Sequence, residues 1–130
     1  MKLIYHDKKT EALCKDYKIA VKKLNKDVAD KLMLLIQALE SFVALGDLSN
    51  LPQYRLHGLS GNRANQYSLV IRKGTKWRLL VYPLDENENL LTDKSNEKEM
   101  LSKAVVVEIV EVSEHYDWNK KKVFSSRRSY

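Results

Sequence analysis

The sequence predicts an α+β domain, an N-terminal helical hairpin packed on a sheet of four to five strands. Residues 8–43 carry apolar side chains at spacings of three and four, the mark of helices with one buried stripe. After Leu51-Pro52 the rhythm changes to alternation with a period of two, which is that of strands with one buried face. A chain of 130 residues with 44% apolar content suits a single core.

Residues 1–6 set Leu3 and Tyr5 against Lys2 and Ile4, a short edge strand. Residues 8–24 place Leu13, Tyr17 and Ala20 or Val21 on one helical stripe. Asn25 is a good N-cap for a second helix. That helix would bury Val28, Leu32, Leu35, Ile36, Leu39 and Val43 and end near Gly46. Leu51-Pro52 breaks helix, and a second strand is expected over residues 54–58. Residues 60–65 read as a loop, 66–72 as a third strand, Lys73-Gly74-Thr75 as a hairpin turn, and 76–82 as a fourth strand ended by Pro83. Residues 84–102 are rich in Asp, Glu, Asn and Lys and form an exposed loop or a short helix around 97–102. A fifth strand, residues 104–112, opens with an apolar run suited to burial on both sides. The domain is expected to span residues 1–117, followed by a basic tail over 118–130.

The net charge of +6 is unevenly placed. Residues 53–82 carry six basic side chains and no carboxylate, and the tail adds Lys120, Lys121, Lys122, Arg127 and Arg128. Such a distribution suits an anionic partner, although a well-solvated surface has the same composition. The single cysteine, Cys14, excludes an internal disulfide framework and a cysteine-based zinc site. No apolar run approaches the roughly 18 residues of a membrane span, and the N-terminus lacks a secretory pattern, so a cytoplasmic protein without membrane contact is expected.

Alternation assigns Tyr54, Leu56, Tyr67, Leu69, Ile71, Trp77, Leu79 and Val81 to the face covered by helices. The opposite parity gathers Arg55, His57, Gln66, Ser68, Arg72, Lys76 and Arg78, and the loop adds Arg63. Guanidinium groups that bind two phosphate oxygens at once, beside a histidine, suit phosphodiester chemistry. Each residue also has a plainer reading. A strand histidine is often structural, and Arg78 can lay its stem on Trp77. Gly58-Leu-Ser-Gly61 is not a phosphate loop, because no Lys-Ser/Thr follows and a strand comes next. His6, His57 and His115 are too dispersed for a metal site, so neither metal nor cofactor is expected.

The run Tyr54-Arg-Leu-His-Gly-Leu-Ser-Gly-Asn-Arg63, then Tyr67-Ser68, then Trp77-Arg78, resembles the RelE/ParE toxin superfamily, and most closely its HigB-like branch, the plasmid-maintenance killer proteins. The likeness covers residues 2–117. It implies two N-terminal helices on a twisted, mainly antiparallel sheet, and a toxin of a type II toxin–antitoxin pair, acting as a ribosome-dependent, metal-independent messenger RNA endonuclease, with ribosome and mRNA as partners. A helix-turn-helix antitoxin would neutralise it. By position, His57, Arg63 and Arg78 match the family's histidine, loop arginine and post-tryptophan arginine, and His115 and Tyr116 take the place of its terminal acid/base group. Arg55, Arg72 and Lys76, with Lys120, Lys121 and Lys122 of the tail, are the expected RNA contacts. Two departures stand out: Ser60 replaces a lysine common in the family, and the terminal group reads Glu114-His-Tyr-Asp117. The alternative is a non-catalytic, ParE-like toxin or regulator that acts by binding protein, with DNA gyrase as the target.

Overall fold

The computed structural model describes residues 1–114. Its strands are β1 (Lys2–Tyr5), β2 (His57–Gly58), β3 (Tyr67–Val70), β4 (Trp77–Leu84) and β5 (Val106–Glu114), and its helices α1 (Lys8–Lys15), α2 (Tyr17–Lys23), α3 (Lys26–Ser41) and α4 (Glu97–Ser102). One five-stranded sheet runs in the order β1-β5-β4-β3-β2. β1 pairs with β5 in parallel and every other neighbour is antiparallel, so the expected α+β class and mainly antiparallel sheet are what the chain forms.

The first expected helix is two helices. Asp16 leaves helical geometry (φ −111°, ψ 104°), and its carboxylate accepts from the N–H groups of Lys18 and Ile19, capping α2. A short acidic side chain that can bond to the backbone just ahead of it competes with helix continuation. Asn25 caps α3 as expected, its Oδ1 accepting from Val28 N at 2.9 Å. Val28, Leu32, Leu35, Ile36 and Leu39 are buried, but α3 stops at Ser41 and leaves Val43 74% exposed. Gly46 is therefore not the terminator. It lies in the 3₁₀ turn Leu45–Asn50, where a Cβ would come within 3.2 Å of the Leu101 backbone, so glycine lets this turn meet α4 closely.

The second strand is much shorter than expected. Pro52–Tyr54 forms a 3₁₀ turn, and Arg55 closes it in the left-handed region at φ 45°. β4, by contrast, runs through Pro83. Its carbonyl accepts from Leu91 N, so the position of its missing N–H lies on the side away from β5. Proline there interrupts no β4–β5 hydrogen bond.

The helices cover the sheet face that alternation predicts. Tyr67, Leu69, Ile71, Leu79 and Val81 join Val107, Ile109 and the buried residues of α3 in one core, with Tyr54, Leu56 and Trp77 packed at its edge. β5 keeps this register by a bulge: Leu80 pairs with Glu111 and Val81 with Ile109, leaving Val110 unpaired.

The long β4–β5 connection is tied to the core rather than loose. Its Asp85 carboxylate accepts from the N–H groups of Asn87 and Asn89, shaping the turn after β4. Tyr67 donates its hydroxyl hydrogen to the Glu97 carboxylate, while Lys94 lies 5.5 Å over the Tyr67 ring and donates to the Ala64 carbonyl. Burial, with Glu97 beside it, pushes the Tyr67 phenol well above its ordinary value of 10.0, and burial raises Tyr5 to about 12. A folded-state value above the unfolded one means a contribution that is complete below about pH 10 and lost as the pH climbs towards the folded value. In an alkaline absorbance titration Tyr67 should ionise last, together with unfolding. Tyr67→Phe should flatten the loss of stability above about pH 10, and an unchanged slope would contradict this account.

Candidate functional site

The sheet face turned away from the helices is built by rows of cross-strand neighbours. His57 pairs with Ser68, Ser68 with Leu80, and Leu80 with Glu111, which places these four side chains in one row on that face. One step along, Val70 pairs with Arg78 and Arg78 with Ser113, so Arg78 shares the face. In the other direction Tyr82 pairs with Glu108 and receives a hydrogen bond from Gln66 Nε2 at 3.1 Å.

Arg63 is the centre of this face. It ends the 3₁₀ turn Gly61–Arg63, which caps back on itself through Arg63 N to Ser60 O and Ala64 N to Gly61 O. Its Nη1 donates to Gln66 Oε1 at 2.8 Å and its Nη2 to Glu111 Oε1 at 3.1 Å. The guanidinium thus spans from the start of β3 to β5 and crosses above β4. With its side chain only 29% exposed and a buried Gln66 beside it, the arginine is held in a set orientation.

His57 is oriented by the turn that precedes it. Its Nδ1 lies 2.8 Å from the carbonyl of Arg55. A carbonyl only accepts, so Nδ1 carries the hydrogen and neutral His57 presents a lone pair at Nε2. That Nε2 is shielded from solvent and has no hydrogen-bond partner among the described residues; the same holds for Ser68 Oγ. Arg78 turns towards the hairpin, its Nη1 donating to the carbonyls of Thr75 at 2.6 Å and Trp77 at 3.0 Å.

Several expectations need correction. The face is not simply basic: β5 contributes Glu108 and Glu111, and Val70 and Leu80 are buried within it. The bulge hides this from the sequence, because it brings two glutamates three residues apart onto the same side. Arg72 is not among the face residues. It approaches Asp27 of α3 at 4.0 Å, at the helical side of the domain. Arg55 and Lys76 are exposed in the connections before β2 and β4, outside both strands. His115, Tyr116, Lys120, Lys121 and Lys122 lie outside the described residues. The structure therefore brings together His57, Arg63 and Arg78 with Gln66, Ser68, Tyr82 and Glu111. Parity alone could find Gln66, Ser68 and Tyr82, which alternates with Arg78 along β4, whereas Glu111 needed the register of β5. Among the described residues no group of His, Cys, Asp or Glu converges as a metal site would require, and no helix is long and apolar enough to cross a membrane.

No protein-family model matches the chain, and no curated protein sequence does. Among solved structures, a YoeB/ParE toxin from Agrobacterium tumefaciens aligns with 89% of this chain and 100% of its own at 16% identity, with a TM-score of 0.45. At that distance the likeness carries nothing about chemistry, and the site rests on its own geometry.

The tautomer of His57 can be checked directly. A long-range proton–nitrogen correlation spectrum of the neutral protein should show the hydrogen on Nδ1. A hydrogen on Nε2 would mean that the Arg55 carbonyl does not orient the ring.

Proposed function

We propose that this chain is a toxin of a toxin–antitoxin pair and cuts messenger RNA without a metal. The observation that supports this most is the histidine whose Nδ1 is fixed on a backbone carbonyl, so that its Nε2, without a partner among the described residues, carries a lone pair on the face that holds Arg63 and Arg78. The motif likeness to the RelE/ParE superfamily supplies the substrate; the geometry supplies a candidate base.

In this reading His57 Nε2 takes the proton of an RNA 2′-hydroxyl. The 2′-oxygen attacks the adjacent phosphorus, the bond from phosphorus to the 5′-oxygen breaks, and that oxygen takes a proton from an acid. His115 or Tyr116 is proposed for the acid. Arg63 and Arg78 stabilise the charge that builds on the phosphate. A phosphodiester arriving at Arg63 competes with the Glu111 carboxylate already paired there, so the face favours a ligand of high charge density. The ribosome would hold the RNA in place, and an antitoxin, of the helix-turn-helix kind by resemblance, would restrain the activity.

Induction of the chain should slow growth and leave codon-associated cuts on messenger RNA, mapped by primer extension, with 2′,3′-cyclic phosphate ends. His57→Ala should lower cleavage by roughly 10²–10⁴-fold and Arg78→Ala by roughly 10²–10³-fold. Cuts undiminished in both variants would remove the assignment. Cleaved DNA trapped on gyrase, with intact messenger RNA, would support the protein-binding alternative instead.

The basic residues Lys120, Lys121 and Lys122 are proposed as an electrostatic anchor on ribosomal RNA that offsets the missing lysine at Ser60. Deleting residues 120–130 should weaken ribosome association and flatten its salt dependence, because fewer counterions are released on binding. The same affinity and the same salt slope after deletion would exclude an anchor.

A further inference from the structure

We infer that Ser68 and His57 form a pair that reads a single hydroxyl group and thereby selects RNA over DNA; the inference rests on the ribonuclease reading above. Ser68 is 0% exposed, and its hydroxyl has no hydrogen-bond partner among the described residues. His57 Nε2 is in the same condition, and the two residues are direct partners across the β2–β3 pair, pointing to the same face. Paired positions of this kind bring Cβ atoms to about 5 Å, so one ligand atom can touch both side chains.

Their chemistry is complementary rather than alike. Nε2 offers a lone pair, because the Arg55 carbonyl holds the hydrogen on Nδ1, and Ser68 offers an O–H. A group that satisfies both at one atom has to donate and accept together. A ribose 2′-hydroxyl does so, donating to Nε2 while accepting from Ser68. A 2′-deoxyribose has nothing to offer there, and a phosphate oxygen only accepts. The 2′-hydroxyl is also the atom by which a protein tells RNA from DNA at a given site. In the cleavage scheme the contact from Ser68 steers the 2′-oxygen onto the base, which makes Ser68 a positioning residue. Ser68 is fully enclosed, so the side chains over it have to part for a ligand to reach the pair.

Packing does not account for a serine here. Its neighbours Leu69, Val70 and Leu80 are all buried, and a buried hydroxyl without a partner among the described residues is a cost to the fold that alanine would remove. Function and stability therefore give opposite signs for the same substitution.

The test uses the full chain and two labelled single strands of one sequence, one RNA and one DNA, with binding read by fluorescence anisotropy while gels show both strands intact. The unsubstituted chain should bind RNA roughly tenfold more tightly than DNA. Ser68→Ala should reduce that ratio to nearly one by weakening RNA binding alone, with a melting temperature unchanged or raised, and Ser68→Thr should restore the preference. If the unsubstituted chain prefers RNA and Ser68→Ala keeps the full preference, this inference falls and the ribonuclease reading stands. If the unsubstituted chain neither prefers nor cleaves RNA, on or off the ribosome, both fall. A lowered melting temperature with equal loss of both ligands would mark Ser68 as structural and also overturn the inference.

Discussion

The bulge at Val110 is the constraint on which the two faces of the sheet depend. β5 is paired on both sides, by β1 and β4, and it must present Val107, Ile109 and Val112 to the helices. A strand of strict alternation would turn either Val112 or Glu111 to the wrong side. The unpaired residue resets the parity between Ile109 and Glu111, so the core row stays apolar while Glu108 and Glu111 emerge together on the other face. Arg63 then finds a carboxylate three strands away from the strand that precedes its loop. Without that register, Arg63 would lose the Glu111 carboxylate.

The polar face is organised at a cost that the helical face has no need to meet. Gln66 is buried and bonded at both ends of its amide, accepting from Arg63 and donating to Tyr82. Ser68 Oγ and His57 Nε2 are buried without partners among the described residues, which is unfavourable in a resting fold. The stability that tolerates them comes from the opposite side, where Leu32, Leu35, Leu39, Leu69, Leu79 and Val81 are fully enclosed.

The acidic connection between β4 and β5 links these halves. Its helix α4 meets the glycine turn at Gly46, its Glu97 receives the Tyr67 hydroxyl, and its Lys94 holds the Ala64 carbonyl next to Arg63. A segment whose composition suggests a solvated loop thus fixes the loop that bears the central arginine. Composition records only how many charges are present, whereas these contacts depend on which of them fold back on β3.

Some of this was written in the sequence because it is local. Asn25 as a cap, the buried stripe of α3, the alternation of residues 67–71 and 77–81, and the fifth strand all follow from side-chain periods of 3.6 and 2 acting on adjacent residues. The parity that put His57, Gln66, Ser68 and Arg78 on one face is equally local, and the structure keeps them there. The rest required tertiary structure. The passage of β4 through Pro83 and the turn of Arg72 towards Asp27 depend on partners distant in sequence, whereas the helix break at Asp16 and the turn that shortens β2 are local backbone bonds that periodicity does not register. Glu111, too, joined the site through a partner distant in sequence. A one-residue bulge changes which side a strand residue faces, and only the pairing of β5 with β4 reveals where that residue lies.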